Sequence, residues 1–434
     1  MNVHTLTRFE ECTAALCDQK LVQAMYDAGG VVMDDVLLNL HGDAHKRRRH
    51  LALRVFRRDF ARHYEQEVFP AALSTALASC ISTRETDMVQ FGHEVTMNLT
   101  ADFAGIDRHQ GDAAETLAAE SLAAEFVSAK ALATETLAAE TNALLALVRK
   151  FGEGATLVHS TRDHDLVRAE VRAALASFER EFLAPSIARR QALLSAVAAG
   201  TADESTLPRD MLTVLLRNED RIALPHDVLT REIAFYLQAG SHSTGNAMVH
   251  TLHELLAWCA REPDQRVRLL SDALYLQRAV HESLRLHPAS PVAWRRALEP
   301  CLLPNGVHAA IGDRVVLDLL AANCDAQVFG DDANCFNPMR RIHHPRALPF
   351  GLTFGTGVHM CLGRDLDGGI ARPLGISDAT PPQLGIVTCL VQALLAAGVA
   401  PDPTRQPSRD TTTARSNWAT YPVRFVGHPT QPAQ

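Results

Sequence analysis

Long stretches rich in Ala, Leu, Arg and Glu dominate the sequence and restrict it to a mainly helical fold, because these residue types have high helix propensity. There are five of them, at residues 68–80, 112–149, 164–198, 227–260 and 269–286. Short β-like runs appear only late, as RVVLDLL (314–320) and YPVRFV (421–426). No Gly/Ser-rich or Pro-rich linker divides the 434 residues. The sequence therefore predicts one large domain over residues 1–434, mainly α with small β-sheets.

Charge, cysteine content and hydropathy narrow the class of protein. The formal net charge is −8, from 42 basic and 50 acidic residues, which argues against nucleic acid as the main ligand. The nine cysteines are scattered and contain no C-x-x-C motif, as is typical of a reducing compartment. No apolar run approaches the roughly 20 residues that cross a bilayer. The opening MNVHTLTRFEEC lacks the apolar region of a signal peptide. These features predict a cytoplasmic protein that binds neither nucleic acid nor a membrane.

A repeat of five residues begins at Glu115 and reads ETLAA-ESLAA-EFVSA-KALAT-ETLAA-ETNAL. At about 100° per residue, five steps advance about 140°, so successive leucines move around the helix instead of forming one apolar stripe. The composition favours a helix, but the periodicity provides no dedicated core face. We expect a partly exposed helical insertion over approximately residues 111–200, with a coiled-coil or partner-binding segment as the alternative.

The segment FGTGVHMCLG, from Phe354 to Gly363, places a single cysteine, Cys361, among three glycines. Glycines allow tight turns and the close approach of a flat ligand. A cysteine at the start of a helix lies where the helix dipole and free N–H groups stabilise a thiolate. A thiolate with no other protein ligand nearby suits the axial position of a haem iron. The alternative is a buried free cysteine in a glycine-rich turn.

This segment resembles the haem-binding loop of the cytochromes P450. The resemblance implies the P450 fold and a haem b cofactor (iron protoporphyrin IX) with Cys361 as the iron's proximal ligand. It further implies that Phe354 packs beside the sulfur and that His359 faces a haem propionate. Gly363 closes the loop as a cofactor-binding residue.

Further motifs occur in the order that the family shows. ESLR contains Glu282 and Arg285 on one helix face. In P450s this pair belongs to a buried network with an arginine from the loop before the cysteine, and Arg340 fits that position. Such a network stabilises the scaffold and takes no part in catalysis. WRRALEP is similar to the family's R-x-A strand, which implies a propionate contact for Arg295, with Arg296 as the alternative.

Near the N-terminus, HGDAHKRRRHLALRVF contains His45 and Arg49, one helical turn apart. The resemblance implies that this pair also holds a propionate. The neighbouring charges Lys46, Arg47 and Arg48 have two interpretations: a solvated helix face, or a docking surface for an acidic electron donor.

The helix expected to cross the haem departs from the family pattern. P450s usually read A-G-x-(D/E)-T-T, and REIAFYLQAGSHSTGNAMVHTLHELL (231–256) gives Ala239, Gly240, Ser241, His242, Ser243 and Thr244 at those positions. The small Ala239–Gly240 pair is kept, so both are expected at the cofactor. His242 replaces the acid and Ser243 the first alcohol, with Thr244 beside them. A hydroxyl and an imidazole can still relay protons, so these three are the candidate catalytic residues. Alternatively, His242 is a core or solvent-side histidine.

The resemblance covers roughly residues 5–110 and 205–426. Three departures accompany it. The usual leader of helix and β-strands is expected to be missing before LTRFEECTAALCDQKL, the region 111–200 is enlarged, and GGIARPLGISDATPPQLG (368–385) is expected to interrupt the helix after Cys361.

The activity implied is that of a haem-thiolate monooxygenase that inserts one oxygen atom from O₂ into a small or medium apolar organic substrate. The chain has no iron–sulfur-type cysteine cluster and no G-x-G-x-x-G after a strand, so its electrons must come from another protein. A ferredoxin-type donor with its reductase is expected. The alternatives are a peroxide-driven or redox-neutral haem-thiolate enzyme, a haem-binding sensor with His242 as the sixth ligand, and a helical protein without haem.

Overall fold

The computed structural model describes residues 2–108, 123–372 and 381–426, and of residues 123–138 it describes the backbone alone. Residues 115–122 of the five-residue repeat therefore lie outside the described residues, and the side chains of 123–138 are not described, so the expected exposure stays a prediction. From Ala123 onwards the backbone of the repeat is helical, as predicted. The described chain is mainly helical with small sheets, as the sequence predicts.

The helices are named α1 to α17 and the strands β1 to β11 in chain order. The helices are α1 (Phe9–Cys17), α2 (Gly30–Met33), α3 (Gly42–Ala52), α4 (Arg58–His63), α5 (Phe69–Thr83), α6 (Met88–Ala104), α7 (Ala123–Ala155), α8 (His164–Phe178), α9 (Ala184–Ala198), α10 (Met211–Arg217), α11 (His226–Arg261), α12 (Asp264–Ser271), α13 (Ala273–Leu286), α14 (Leu319–Asn323), α15 (Ala326–Phe329), α16 (Arg364–Asp367) and α17 (Ile386–Ala396). The strands are β1 (Val3–Leu6), β2 (Leu21–Gln23), β3 (Glu85–Asp87), β4 (Val292–Ala297), β5 (Cys301–Leu302), β6 (His308–Ala309), β7 (Arg314–Asp318), β8 (Val399–Pro401), β9 (Ser408–Arg409), β10 (Trp418–Thr420) and β11 (Pro422–Phe425).

The chain divides into two compact units. The first comprises Met1–Met25, Phe56–Val95 and Ser243–Gln434, and the second comprises Tyr26–Val55 and Thr96–His242. The boundary falls inside α11, between His242 and Ser243.

The first unit contains the sheets. Its four-stranded sheet has the order β1-β7-β4-β2, with β1 parallel to β7 and the other pairs antiparallel. A second sheet has the order β3-β11-β8. The N-terminal segment supplies the two edge strands of this sheet, β1 and β2, which flank α1 in the chain.

The core of the first unit lies beside this sheet. Leu6, Val315 and Leu317 alternate with more exposed residues along β1 and β7, and Phe9 packs against Phe329 with ring centroids 5.8 Å apart. The alternation follows the two-residue period of a strand, which buries one face.

The second unit is helical. Its core includes Leu144, Val148 and Phe151 of α7, which face Phe178 and its neighbours from α8. The rings of Phe151 and Phe178 meet edge to face at 5.6 Å. α8 begins at an N-cap, because the Asp163 carboxylate accepts a hydrogen bond from Leu166 N at 2.8 Å. No helix in the described part of the chain is long and apolar enough to cross a membrane.

Candidate active site

The loop that carries Cys361 turns back on itself just before α16. Cys361 N donates to Phe354 O at 2.8 Å, which closes the turn, and the residue itself is exposed. Phe354 is buried and meets Phe350 edge to face at 5.0 Å. The backbone bond and the aromatic packing therefore hold Cys361 in place from the protein side.

Two glycines before the cysteine have backbone conformations that favour glycine, with φ of 63° at Gly355 and 72° at Gly357. A Cβ on Gly357 would lie 2.9 Å from Leu16 O, at the end of α1. Packing against α1 therefore requires a glycine at position 357, whether or not a ligand also approaches the loop. Gly363 is different, because its Cβ would meet Cys361 Sγ at 3.9 Å, an ordinary contact distance.

The helix after Cys361 is too short to provide the helix dipole that the sequence analysis expects at this cysteine. α16 has four residues, and the chain then turns out at Gly369, whose φ is 70°. Its neighbour Ile370 N donates to Gln383 O at 2.9 Å, and the Glu65 carboxylate accepts from Gly385 N at 2.8 Å. The insertion thus interrupts the helix as predicted, with residues 373–380 outside the described part. So short a helix has little macrodipole, so the dipole stabilisation predicted for a Cys361 thiolate is weak here.

The ion pair predicted from ESLR is buried. Arg285 Nε and Nη2 donate to the two oxygens of Glu282 at 2.8 and 2.7 Å, and Arg340 Nε donates to Glu282 Oε1 at 2.9 Å. Arg285 is 0% exposed. Its Nη1 also donates to the backbone oxygens of Asn323 and Ala333, at 2.6 and 2.7 Å. The predicted network is confirmed, including Arg340.

Asn323 joins this network to the segment before the cysteine loop. Its Nδ2 donates to Arg285 O at 3.0 Å, and its Oδ1 accepts from Leu352 N at 2.6 Å. Gly351, with φ of 58°, lies against this amide so closely that a Cβ would overlap Asn323 Oδ1. The buried pair therefore fixes the backbone from which the cysteine loop starts.

Strand alternation gives the two arginines of WRRALEP different burial. Arg295 is 3% exposed, whereas Arg296 on the other face of β4 is half-buried. Arg295 Nη1 donates to Gln23 Oε1 at 2.8 Å and to Trp294 O at 3.0 Å. Arg295 is therefore the buried cation of this strand. His359 lies in a single 3₁₀ turn just before Cys361, in the same unit.

Thr244 has a partner that the sequence did not reveal. Its hydroxyl hydrogen-bonds the carboxylate of Asp367, at the end of α16, and burial raises the pKa of Asp367 to about 6 despite that bond. Asp367 is only six residues after Cys361. The first unit therefore places an acid–alcohol pair, Asp367 and Thr244, near the cysteine loop.

Because folding raises the pKa of Asp367 from 3.8 to about 6, its protonated form is favoured in the folded protein. The stability it contributes is complete below about pH 4 and is lost as the pH rises through 6. We expect the unfolding free energy of wild type to fall over this range by about 2 kcal/mol relative to Asp367→Asn. Urea unfolding at several pH values measures this difference. The exposed Asp331→Asn variant is the control, and parallel curves for all three proteins would contradict the assignment.

The second unit holds Ala239, Gly240 and His242 on α11. Ser241 Oγ lies 3.2 Å from His242 Nδ1, and Ser241 O accepts from the Thr96 hydroxyl at 2.7 Å. A Cβ on Gly152 of α7 would lie 3.4 Å from His242 Nδ1, so the imidazole is directed towards that helix. A Cβ on Gly240 would overlap Thr100. Contact with α6 therefore accounts for Gly240 without reference to a ligand.

His45 and Arg49 lie on α3, also in the second unit. His45 is 3% exposed, and burial together with the Arg49 charge lowers its pKa to about 4. His45 is therefore neutral near pH 7 and can offer a hydrogen bond but no charge.

Arg48 differs from both interpretations of the basic run. It is buried, and its Nη1 donates to Glu232 Oε2 at 3.0 Å and to Asp35 O at 2.9 Å. A solvated face or a docking surface can therefore include Lys46 and Arg47 but not Arg48.

Comparison with known proteins bears on this arrangement. The family model described as "Cytochrome P450" matches residues 170–366, a span that contains the Glu282–Arg285 pair and the Cys361 loop. Over that span the chain matches the cytochrome P450 family. The crystal structure of CalO2 has a TM-score of 0.70 with this protein at 18% identity, covering 97% of this chain and 90% of that one. The likeness shows that the fold is the P450 fold.

Curated relatives match over shorter spans. The cytochrome P450 monooxygenase PikC of Streptomyces venezuelae is 31% identical over 160 residues, 36% of each chain. Indoleacetaldoxime dehydratase of Arabidopsis thaliana is 32% identical over 103 residues, 23% of this chain and 20% of that one. The matched segments thus span well under half of either relative.

Cytochromes P450 bind haem, and the first unit of this chain fits that group. Cys361 is exposed at the loop. Arg295 supplies a buried cation of the kind that an acidic substituent needs. One exposed thiol and one buried cation in the same unit fit haem, which Cys361 would ligate and whose acidic substituent Arg295 would neutralise.

Proposed function

We propose that this protein is a cytochrome P450, a haem-thiolate monooxygenase that inserts one oxygen atom from O₂ into a small or medium apolar organic substrate. The observation that carries the proposal is the exposed Cys361, in a loop held by the Phe354 bond and by the buried Arg285 network. When haem b is bound, it supplies oxygen activation, and a thiolate ligand favours cleavage of the O–O bond.

In this proposal each residue of the first unit has a physical role. Cys361 is the metal ligand, and Phe354 packs beside the loop that carries it. Arg295 and His359 neutralise and orient propionates, and the resemblance gives His45 and Arg49 the same role. Since His45 is neutral near pH 7, Arg49 supplies the charge of that pair.

Electrons come, in this proposal, from a separate protein of the ferredoxin type with its reductase. Lys46 and Arg47 support it, because they are exposed on α3 and suited to an acidic partner. All nine cysteines are free thiols, which supports a reducing, cytoplasmic setting.

Isotope incorporation tests the activity. The haem-loaded protein is supplied with NADPH, a ferredoxin and its reductase under ¹⁸O₂, with substrates chosen by their ability to shift the haem from low to high spin. We expect one ¹⁸O atom in the product. Product that carries oxygen only from water, or product formed without the donor, would contradict the proposal.

A redox-neutral reaction is the second candidate. It is favoured by the partial match to a dehydratase and by His242 at the position where P450s usually carry an acid. Turnover of an aldoxime without any electron donor would support it. Peroxide-driven turnover that exceeds donor-driven turnover would instead indicate a peroxygenase.

Proton delivery is proposed to depend on Ser243 and His242, with Thr244 held by Asp367. Removal of the Ser243 hydroxyl should leave haem binding and electron uptake intact but divert electrons to hydrogen peroxide. We expect the fraction of NADPH coupled to product to fall about tenfold in Ser243→Ala, since general acid–base groups contribute at least that much. Ser243→Thr retains a hydroxyl and should remain coupled. Unchanged coupling in both Ser243→Ala and His242→Ala would mean that water alone delivers the protons.

A further inference from the structure

A cavity in the second unit is lined by arginines that monooxygenase chemistry does not use. Its volume is about 510 Å³, and it is lined by Arg54, Val214, Arg217, Asn218, Asp220 and Arg221. Three guanidinium groups face one carboxylate, although the whole chain carries a net charge of −8. A positive concavity on an acidic protein favours an anionic ligand.

Asn218 organises this cavity. Its side chain is 5% exposed, its Oδ1 accepts from Arg54 Nη1 at 3.0 Å, and its Nδ2 donates to Val214 O at 2.8 Å. Its backbone oxygen accepts from Arg221 N at 3.0 Å. One buried residue therefore positions both Arg54, which follows α3, and Arg221, in the turn after α10.

The charges of the lining are unevenly compensated. Arg217 forms an ion pair with Glu204, so its charge is partly neutralised. Arg54 instead bonds an amide oxygen, which carries no net charge. Asn218 also covers the C-terminal end of α10, through Val214 O and Leu215 O, so these carbonyls do not repel an anion. The cavity keeps an excess of positive charge.

We propose that this cavity binds a small molecule with a diphosphate group. Planar guanidinium groups match phosphate oxygens bidentately, which selects phosphate over a monatomic anion. The volume lies within the roughly 300–1,000 Å³ of small-molecule sites, far more than one orthophosphate would fill. The diphosphate is either free pyrophosphate or an ester such as a nucleoside diphosphate.

Calorimetry on the full-length, haem-loaded protein tests this site. Pyrophosphate and adenosine diphosphate are titrated into wild type, Arg221→Gln and Arg54→Gln at low ionic strength. Both arginines are exposed, so the variants should fold. The control is Arg180→Gln, because Arg180 is 67% exposed in the same unit and pairs with Glu181 outside the cavity.

We expect pyrophosphate to bind wild type and Arg180→Gln equally, and the two cavity variants about tenfold more weakly, with all affinities falling as salt rises. Tighter binding of adenosine diphosphate would identify an organic diphosphate as the ligand class, and equal binding would identify the diphosphate group alone. Absence of binding to wild type, or equal affinity in all four proteins, would overturn the proposal.

Discussion

Replacing Arg285 with alanine is expected to abolish soluble, haem-loaded protein. The side chain is fully buried and makes four hydrogen bonds, two to Glu282 and two to the backbone oxygens of Asn323 and Ala333. Its removal leaves Glu282 with Arg340 alone and takes a hydrogen-bond donor from both carbonyls. Loss of one partner of a buried pair costs about 3–5 kcal/mol, a large share of the roughly 5–15 kcal/mol that stabilises a typical domain.

The yield of soluble protein, its haem content and its urea midpoint measure this effect. Arg285→Lys keeps the charge but loses the planar fork, so it should rescue little. Arg278→Ala on the same helix is the matched control, because Arg278 is only partly buried and should tolerate truncation. A folded, haem-loaded Arg285→Ala protein with a wild-type midpoint would show that the pair does not support the scaffold.

The spacing of Glu282 and Arg285 predicts that they pair, whereas their burial is implied by the family resemblance. Glu282 and Arg285 are one helical turn apart, so a single motif places both side chains on one face. Helix composition likewise predicted α5, α11 and α13 to within a few residues. In contrast, β1 and β2 are only four and three residues long, so the two-residue period of a strand cannot be recognised in their sequences. They form strands because β7 and β4 supply their hydrogen-bond partners.

Contacts between distant segments could not be predicted in this way. Arg48 and Glu232 are separated by 184 positions, and nothing in the run KRRR distinguishes the buried arginine from its exposed neighbours. Asp367 lies just before the insertion at 368–385 and in none of the motifs that indicate a site. A carboxylate six residues after the cysteine was the available signal, but only the fold reveals Thr244 as its partner.

Gly357 and Gly240 show a second limit of prediction from sequence. Both glycines occur in motifs associated with ligand approach, and both face protein atoms, Leu16 O and Thr100 respectively. A glycine in a motif indicates that a larger side chain does not fit at that position. It does not indicate whether protein atoms or a ligand occupy the space.

Cys361→Ala is expected to eliminate the thiolate signature of the bound haem. Cys361 is the only cysteine in its loop; Cys335 and Cys389, its nearest neighbours in sequence, lie 26 and 28 positions away. The backbone bond from Cys361 N to Phe354 O does not involve the sulfur, so alanine should preserve the turn. The buried network around Arg285 is also untouched. The variant should therefore fold, and its loss should be confined to the cofactor.

The reduced protein with carbon monoxide gives the readout. Wild type should show the strongly red-shifted Soret band of a haem-thiolate, whereas Cys361→Ala should bind little haem and lack that band. Cys335→Ala is the matched control, because Cys335 is also an exposed free thiol in the same unit. Circular dichroism separates the outcomes, since a variant that keeps its helices but loses the band has lost only the ligand. If Cys361→Ala retains the band and Cys335→Ala loses it, the ligand is misassigned; if both retain it, the band does not come from either thiolate.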